Sequence, residues 1–307
     1  MEVFKLHILS QIGMIALFTC LTTVKIDSKT IDAIIKSMWF GSALIGFLSL
    51  FFNHQYREVS DTRIVLYLFG QEADPNNQAA FLVIGMAISI WYIFYKKRLR
   101  LLGAAILLIN FYSLMQTGSR GGLVAVAAII LTFVLFGGIS AKPKEIVMRL
   151  FIIAVVAVAA AFLAKYILPD GIFNRLFDFS SYEGGSGRDV LWANSWELAT
   201  SKLNFIFGAG WGEYYGYNGV YSAVHNTLLS MLCDVGALGI LLFFTPLAAV
   251  VLYTLRRKQV LPVMLFVAGM IPSFFVDAIN KRFFWNSIII LIILYENLRS
   301  NPVKRRH

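Results

Sequence analysis

The sequence predicts an all-α fold, a polytopic integral membrane bundle of about nine transmembrane helices forming one domain over 1–307, with one large extracytoplasmic loop at 169–224. Three observations point there. Hydrophobic residues make up 58% of the chain and charged residues only 14%, with a mean hydropathy of +0.71, well outside the soluble range. The apolar residues arrive in runs of about 15 to 20, the length a helix needs to cross a hydrocarbon core of roughly 30 Å. The basic residues collect in short stretches between those runs, as topology signals do.

The runs lie at 8–24, 38–52, 79–95, 101–115, 123–139, 150–168, 227–253, 260–276 and 283–298. The first follows Lys5 but has no small-residue cleavage site, so it reads as a membrane segment rather than a removable signal. The second can extend back through 31–37 if Lys36 snorkels, and the last tolerates Glu296 in the same way. With Lys96-Lys97-Arg98-Leu99-Arg100 placed inside, alternation puts 17 of the 27 lysines and arginines on the cytoplasmic face, the amino terminus outside and the carboxyl terminus inside. The net charge of +10 therefore reflects topology, and no nucleic-acid partner is expected. Cys20 and Cys233 both fall inside apolar runs, which leaves neither a disulfide framework nor a zinc site.

Two outer segments remain, 53–78 and 169–224. The second holds 13 aromatic residues and 9 glycines in 56 positions, too aromatic for a disordered linker, so it should fold down onto the membrane. Ser186-Gly187-Arg188-Asp189 offers a helix start, and Trp192, Trp196, Ala199 and Leu203 recur at spacings of four, three and four. An amphipathic interfacial helix over 189–203 follows, with its tryptophan face in the headgroups.

Candidate chemistry sits on this outer side. Arg120 lies in Thr117-Gly118-Ser119-Arg120-Gly121-Gly122, a hairpin so short that its guanidinium stays near the hydrocarbon boundary, where it needs an anion. Flanking glycines let a phosphate approach the backbone; a headgroup anchor in a tight turn explains the same residues equally well. Arg188 opens the interfacial helix, where helix N–H groups and a bidentate fork favour phosphate. Gly208-Ala209-Gly210-Trp211-Gly212 has the wrong spacing for a nucleotide loop and reads as a flexible turn offering Trp211 to a sugar.

His225-Asn226 marks the entry of the long loop into an apolar helix. Asn226 can cap that helix, whose positive end disfavours an imidazolium, so His225 should stay neutral and able to accept a proton. A lone interfacial anchor is the plainer explanation of such a histidine. Asp234 lies eight residues further on, roughly 12 Å into the same helix, and joins Trp211 as a candidate for substrate contact. No Asp-x-Asp pair or metal-ligand spacing is visible, so no metal or cofactor is expected. Outer arginines, an outer histidine and an aromatic loop suit a lipid-anchored, phosphate-bearing, sugar-terminated substrate. The rival is a transporter or flippase for a lipid-linked or small substrate, which would need polar or broken helices near the membrane midplane.

At these residues the sequence resembles the O-antigen ligase and O-antigen polymerase family of bacterial envelope proteins. The matching pieces, in order, are Asp74-Pro75-Asn76-Asn77, Gly118-Ser119-Arg120-Gly121-Gly122, Arg188 leading to Trp192, Gly208-Ala209-Gly210-Trp211-Gly212, and His225-Asn226 with Gly236-Ala237-Leu238-Gly239. The resemblance implies an enzyme of the bacterial cytoplasmic membrane, active on its extracytoplasmic face in surface-polysaccharide (lipopolysaccharide) synthesis. It implies metal-independent glycosyl transfer from an undecaprenyl-diphosphate-type donor to a glycan or lipid-core acceptor, with Arg120 and Arg188 on the diphosphate and His225 activating the acceptor hydroxyl. The single large outer loop leans toward a ligase, while only two spans precede the first matching piece where the family usually has more.

Overall fold

A computed structural model of the chain describes residues 12, 13, 15–20, 23, 26–55, 63–137, 147, 164–177 and 188–300. Its helices are α1 (Ser28–Phe51), α2 (Pro75–Tyr95), α3 (Arg100–Gln116), α4 (Arg120–Phe136), α5 (Asp170–Phe177), α6 (Arg188–Thr200), α7 (Asn204–Phe207), α8 (Thr227–Arg256), α9 (Val260–Ser273) and α10 (Arg282–Ser300). Three of them, α1, α2 and α8, are long and apolar enough to cross a membrane, while α3, α4 and α9 are apolar but shorter. Expected spans at 38–52, 79–95, 101–115, 123–139, 227–253, 260–276 and 283–298 each coincide with one of these helices. Those at 8–24 and 150–168 fall largely outside the described residues, so the expected total of nine is not counted here.

Capping explains several boundaries. Asp27 accepts the Thr30 N–H at 2.8 Å and starts α1 ten residues before its most apolar stretch. Lys36 pairs with Asp32 one turn earlier at 2.6 Å. Asp74 caps α2 through the Asn77 N–H, with Pro75 at the first helical position. The turn between α3 and α4 closes when Ser119 Oγ accepts the Gly122 N–H.

The structure departs from an all-helical reading in the outer segment 53–78. There β1 (Asn53–Gln55), β2 (Ile64–Leu68) and β3 (Gln71–Glu72) form an antiparallel sheet in the order β1-β2-β3. Leu68 pairs with Gln71 across Phe69 and Gly70, both at positive φ (54° and 79°), as a two-residue type I′ hairpin requires. The β-branched and aromatic run Ile64-Val65-Leu66-Tyr67-Leu68 supplies the strand. Gln78 of α2 fastens this sheet to the bundle: its Oε1 accepts the Leu66 N–H, and its amide donates to Ser49 and Ser113.

The most apolar window of α2 is 72% buried, whereas that of α8 is 11% buried, so α2 is central and α8 is the flank that meets lipid. Around α2 the helices close on small residues and polar glue, because apolar side chains gain little by leaving lipid for one another. Trp39 Nε1 donates to Ser89 Oγ at 2.7 Å, and Asn110 donates to Ser42 Oγ at 3.1 Å. Gly85 permits the approach, since a β-carbon there would lie 1.6 Å from Ser42 Oγ. Gly85→Ala should therefore separate α1 from α2, at a cost of about 1 to 3 kcal/mol. A lowered midpoint of thermal aggregation in detergent would register it; an unchanged midpoint would mean the interface gives way freely.

Candidate functional site

The candidate residues fall into three neighbourhoods: the entry to α8, the hairpin between α3 and α4, and a cavity along α8. The first is the entry to α8. Asn226 accepts the Leu229 N–H at 3.1 Å and caps the helix, as its position in the sequence suggested. His225, just before it, has a φ of 53°, a left-handed conformation in which histidine is enriched over bulkier residues. Two residues further on, Thr227 Oγ1 donates to the Val276 carbonyl and accepts the Ala278 N–H, both at 2.8 Å. That double bond pins the loop after α9 beside the first turn of α8 and leaves Asp277 between the pinned residues.

Asp277 is a site residue that sequence reasoning missed. Its carboxylate accepts from Tyr214 Oη at 3.2 Å and from Ser230 Oγ at 3.4 Å. Burial, then the charge of Asp277, pushes the Tyr214 phenol far above its usual value, so this hydroxyl remains a donor. Nothing in the local sequence Ser273-Phe274-Phe275-Val276-Asp277 marks the acid; only the fold brings it to Tyr214.

Arg188 lies within electrostatic range of His225. The link is Trp192, one turn along α6, whose Nε1 donates to the Val224 carbonyl at 2.9 Å. The proton affinity of His225 is lowered by burial first and by the Arg188 charge second; Asp74 and Asp277 pull the other way and Lys281 reinforces the lowering. The sequence argument also gave a neutral histidine, but it invoked the helix terminus; burial and Arg188 lead here. The helix predicted over 189–203 is observed as Arg188–Thr200, and its start at Ser186 lies outside the described residues. It buries Ser195, Leu198 and Ala199, packing with Leu232 and Cys233 of α8, while Trp196 is exposed.

Arg120 stands on the adjoining hairpin. Ser119 Oγ donates to Asn76 Oδ1 at 3.0 Å, which ties the hairpin to the start of α2 that also carries Asp74. Arg120 Nε donates to the Arg175 carbonyl at 2.7 Å, and Arg175 Nε donates back to the Gly118 carbonyl at 3.2 Å. Gly118, at φ 59°, has Arg63 on its other side, for a β-carbon would meet Arg175 Cδ at 2.9 Å and Arg63 Cγ at 3.4 Å. Two guanidinium-bearing side chains thus meet at one glycine, and Arg120 bonds to the backbone of one of them. Arg63 and Arg175 sit in the two long outer segments, where no local pattern singled them out.

Trp211 and Asp234 share a different place, a cavity of about 240 Å³ also bounded by Met231, Val235, Phe243 and Trp285. Asp234 Oδ1 accepts the Gly212 N–H at 2.8 Å, and the Cys233 carbonyl accepts the Ala209 N–H at 2.6 Å. Gly208-Ala209-Gly210-Trp211-Gly212 is therefore no flexible turn but a loop fixed on α8. The helix admits it at Gly236, whose φ of 66° and ψ of −176° interrupt the helical path. A β-carbon on Gly236 would come within 2.3 Å of the Ile206 carbonyl oxygen, and one on Gly208 within 2.4 Å of that of Asp234.

With this geometry in place, comparison with known proteins is informative. Residues 105–244 match the family model described as O-antigen ligase. The match contains Arg120, Arg188, Trp211, His225 and Asp234, and excludes Arg63, Asp74 and Asp277. No curated protein matches the chain. A solved structure, described as "Structural coordination of polymerization and crosslinking by a peptidoglycan synthase complex", is similar at 15% identity and a TM-score of 0.49, over 98% of this chain and 91% of that one.

The charge arrangement gives a direct test. Asp277 favours the protonated form of His225, so Asp277→Asn should move the His225 titration to lower pH than in the parent protein. Histidine-selective ¹³C labelling with NMR titration would follow it. An unmoved midpoint would mean that the Asp277 carboxylate does not act on the imidazole.

Proposed function

We propose that this chain, whose residues 105–244 match the family model described as O-antigen ligase, joins a polyprenyl-diphosphate-linked glycan to an acceptor hydroxyl without a metal, on the extracytoplasmic face of a bacterial cytoplasmic membrane. The observation that carries the reading is the Trp192–Val224 hydrogen bond, which ties the first turns of α6, where Arg188 lies, to the residue before His225 and sets the Arg188 charge within electrostatic range of the imidazole. A cation within that range of a neutral, half-buried imidazole suits an anionic leaving group next to a hydroxyl that must lose a proton.

In the proposed step the acceptor oxygen attacks the anomeric carbon as the bond from that carbon to the diphosphate oxygen breaks. The hydroxyl proton passes to His225, and the lipid diphosphate leaves with the bonding electron pair. Arg188 and Arg120 hold the diphosphate and offset the charge that grows on its leaving oxygen. Attack opposite the leaving group inverts the anomeric centre. Trp211 and Asp234 belong to the outskirts of the site in this reading, and transfer to a lipid-core acceptor, as by a ligase, is favoured over chain polymerisation. A transporter would use a broken helix, and α8 is interrupted at Gly236. The loop backbone of 206–212 fills that interruption, however, which argues against an open substrate path.

Reconstitution with a polyprenyl-diphosphate glycan and an acceptor should release lipid diphosphate. His225→Ala should reduce transfer by roughly 10² to 10⁴ with donor binding retained. In the parent protein the rate should fall as pH drops below the ordinary histidine range, because the lowered proton affinity keeps the base neutral until then. A correctly inserted His225→Ala protein that transfers at the parental rate would remove the histidine from the chemistry.

Arg188→Lys keeps the charge but loses the planar two-toothed fork, so it should still impair transfer. Arg120→Lys should do the same. Full transfer and full donor affinity in both lysine variants would overturn the diphosphate assignment and leave Arg120 as a brace for α5.

A further inference from the structure

The loop that fills the break in α8 carries an unusual outer surface. Leu203, Phe205, Ile206 and Phe207 are exposed by 66, 45, 46 and 62%, an apolar cluster on a single helical turn. Its position is fixed by α8: Ala209 bonds to Cys233, Gly212 to Asp234, and Gly236 abuts Ile206. These α8 residues lie six to nine positions past Thr227, or roughly 9 to 14 Å along the helix axis. A 30-residue helix is about 45 Å long, enough for the hydrocarbon core and both headgroup layers. Centred in a bilayer, it places Cys233 to Gly236 just below the hydrocarbon boundary.

At that depth a polypeptide must satisfy its own backbone, because no water is at hand. This loop does. The N–H groups of Ile206 and Phe207 donate to the Leu203 carbonyl, that of Gly208 to Asn204, and that of Ala209 to Cys233. Asn204 turns its side-chain amide back onto the Leu198 carbonyl and Ser201 Oγ. Lys202, exposed and next to the apolar turn, has the reach to place its ammonium among lipid phosphates while its stem lies along the chains. The apolar turn also continues the lipid-facing flank of α8, where Leu238, Leu241 and Leu242 are exposed.

We infer that residues 203–212 form a re-entrant element that dips into the lipid leaflet on the site side, with Leu203, Phe205, Ile206 and Phe207 against the acyl chains. The element anchors the long outer segment in the membrane, one helix away from Arg188. It needs only the membrane reading of α8 and does not depend on the chemistry at His225.

Nitroxide labels read this directly. In a background carrying Cys20→Ser and Cys233→Ala, the variants Phe205→Cys, Phe207→Cys, Leu241→Cys and Gln259→Cys are labelled and placed in phosphatidylcholine nanodiscs. Leu241 marks the lipid face of α8, and Gln259, exposed in the turn before α9, marks water. Labels at 205 and 207 should resemble that at 241, colliding with oxygen and losing collisions with a water-soluble nickel chelate. Nickel collisions as frequent as at 259 would overturn the inference. So would shielding from both probes, since that would place a second copy of the protein, rather than lipid, over the turn. Dibrominated lipid quenching of Phe207→Trp fluorescence, which needs no cysteine change, should be strong; its absence would have the same meaning.

Discussion

The seam between the broken helix α8 and the loop 204–212 is the constraint on which the rest depends. A continuous helix could not accept the Ala209 N–H at the Cys233 carbonyl, nor bring the Ile206 carbonyl within contact of its own backbone. Gly236 makes both possible, because it alone along this path adopts φ 66° without a side chain in the way. Once the loop is seated, α6 is drawn onto α8 through Ser195, Leu198 and Ala199, with Cys233 Sγ donating to the Ser195 carbonyl at 3.2 Å. Trp192 then reaches Val224, and Arg188 arrives within electrostatic range of His225. A backbone interruption within a membrane span thus sets the position of a charge at the membrane surface.

The second constraint is electrostatic. Arg63 and Arg175 lie against Gly118 and Arg120 bonds to the Arg175 carbonyl, while the charges of Arg188 and Lys281 act on His225. Near a hydrocarbon boundary such charges are costly unless they hold anions. Asp74 and Asp277 supply part of the balance near the histidine, and each is fixed by other duties: Asp74 caps α2, and Asp277 receives Tyr214 and Ser230. Arg120 braces α5 among these charges, for its Nε donates to the Arg175 carbonyl.

Much of the helical framework was legible in the sequence. The apolar runs at 79–95 and 227–253, the cap at Asn226, and the Gly118–Gly122 hairpin all rest on local chemistry, and local chemistry survives in any fold. The small sheet was not read, although Ile64 to Leu68 carries a strand composition; a five-residue strand gives only weak periodicity beside membrane-length runs. The extension of the second run back through 31–37 lies within α1, where Lys36 pairs with Asp32 one turn earlier.

By itself the sequence determined that the chain is strongly apolar and largely helical, where its apolar helices lie, and that His225, Arg188 and Arg120 are candidate polar groups between them. Those conclusions follow from composition, spacing and charge, which are properties of neighbours along the chain. Tertiary structure alone decided that Arg188 comes within electrostatic range of His225, that Arg63 and Arg175 meet at Gly118, that Asp277 lies under Tyr214, and that the glycine loop closes on a broken helix rather than swinging free. Each of these pairs residues many positions apart, and their meeting is set by how closely glycine-bearing backbones can approach, which no local pattern in the sequence encodes.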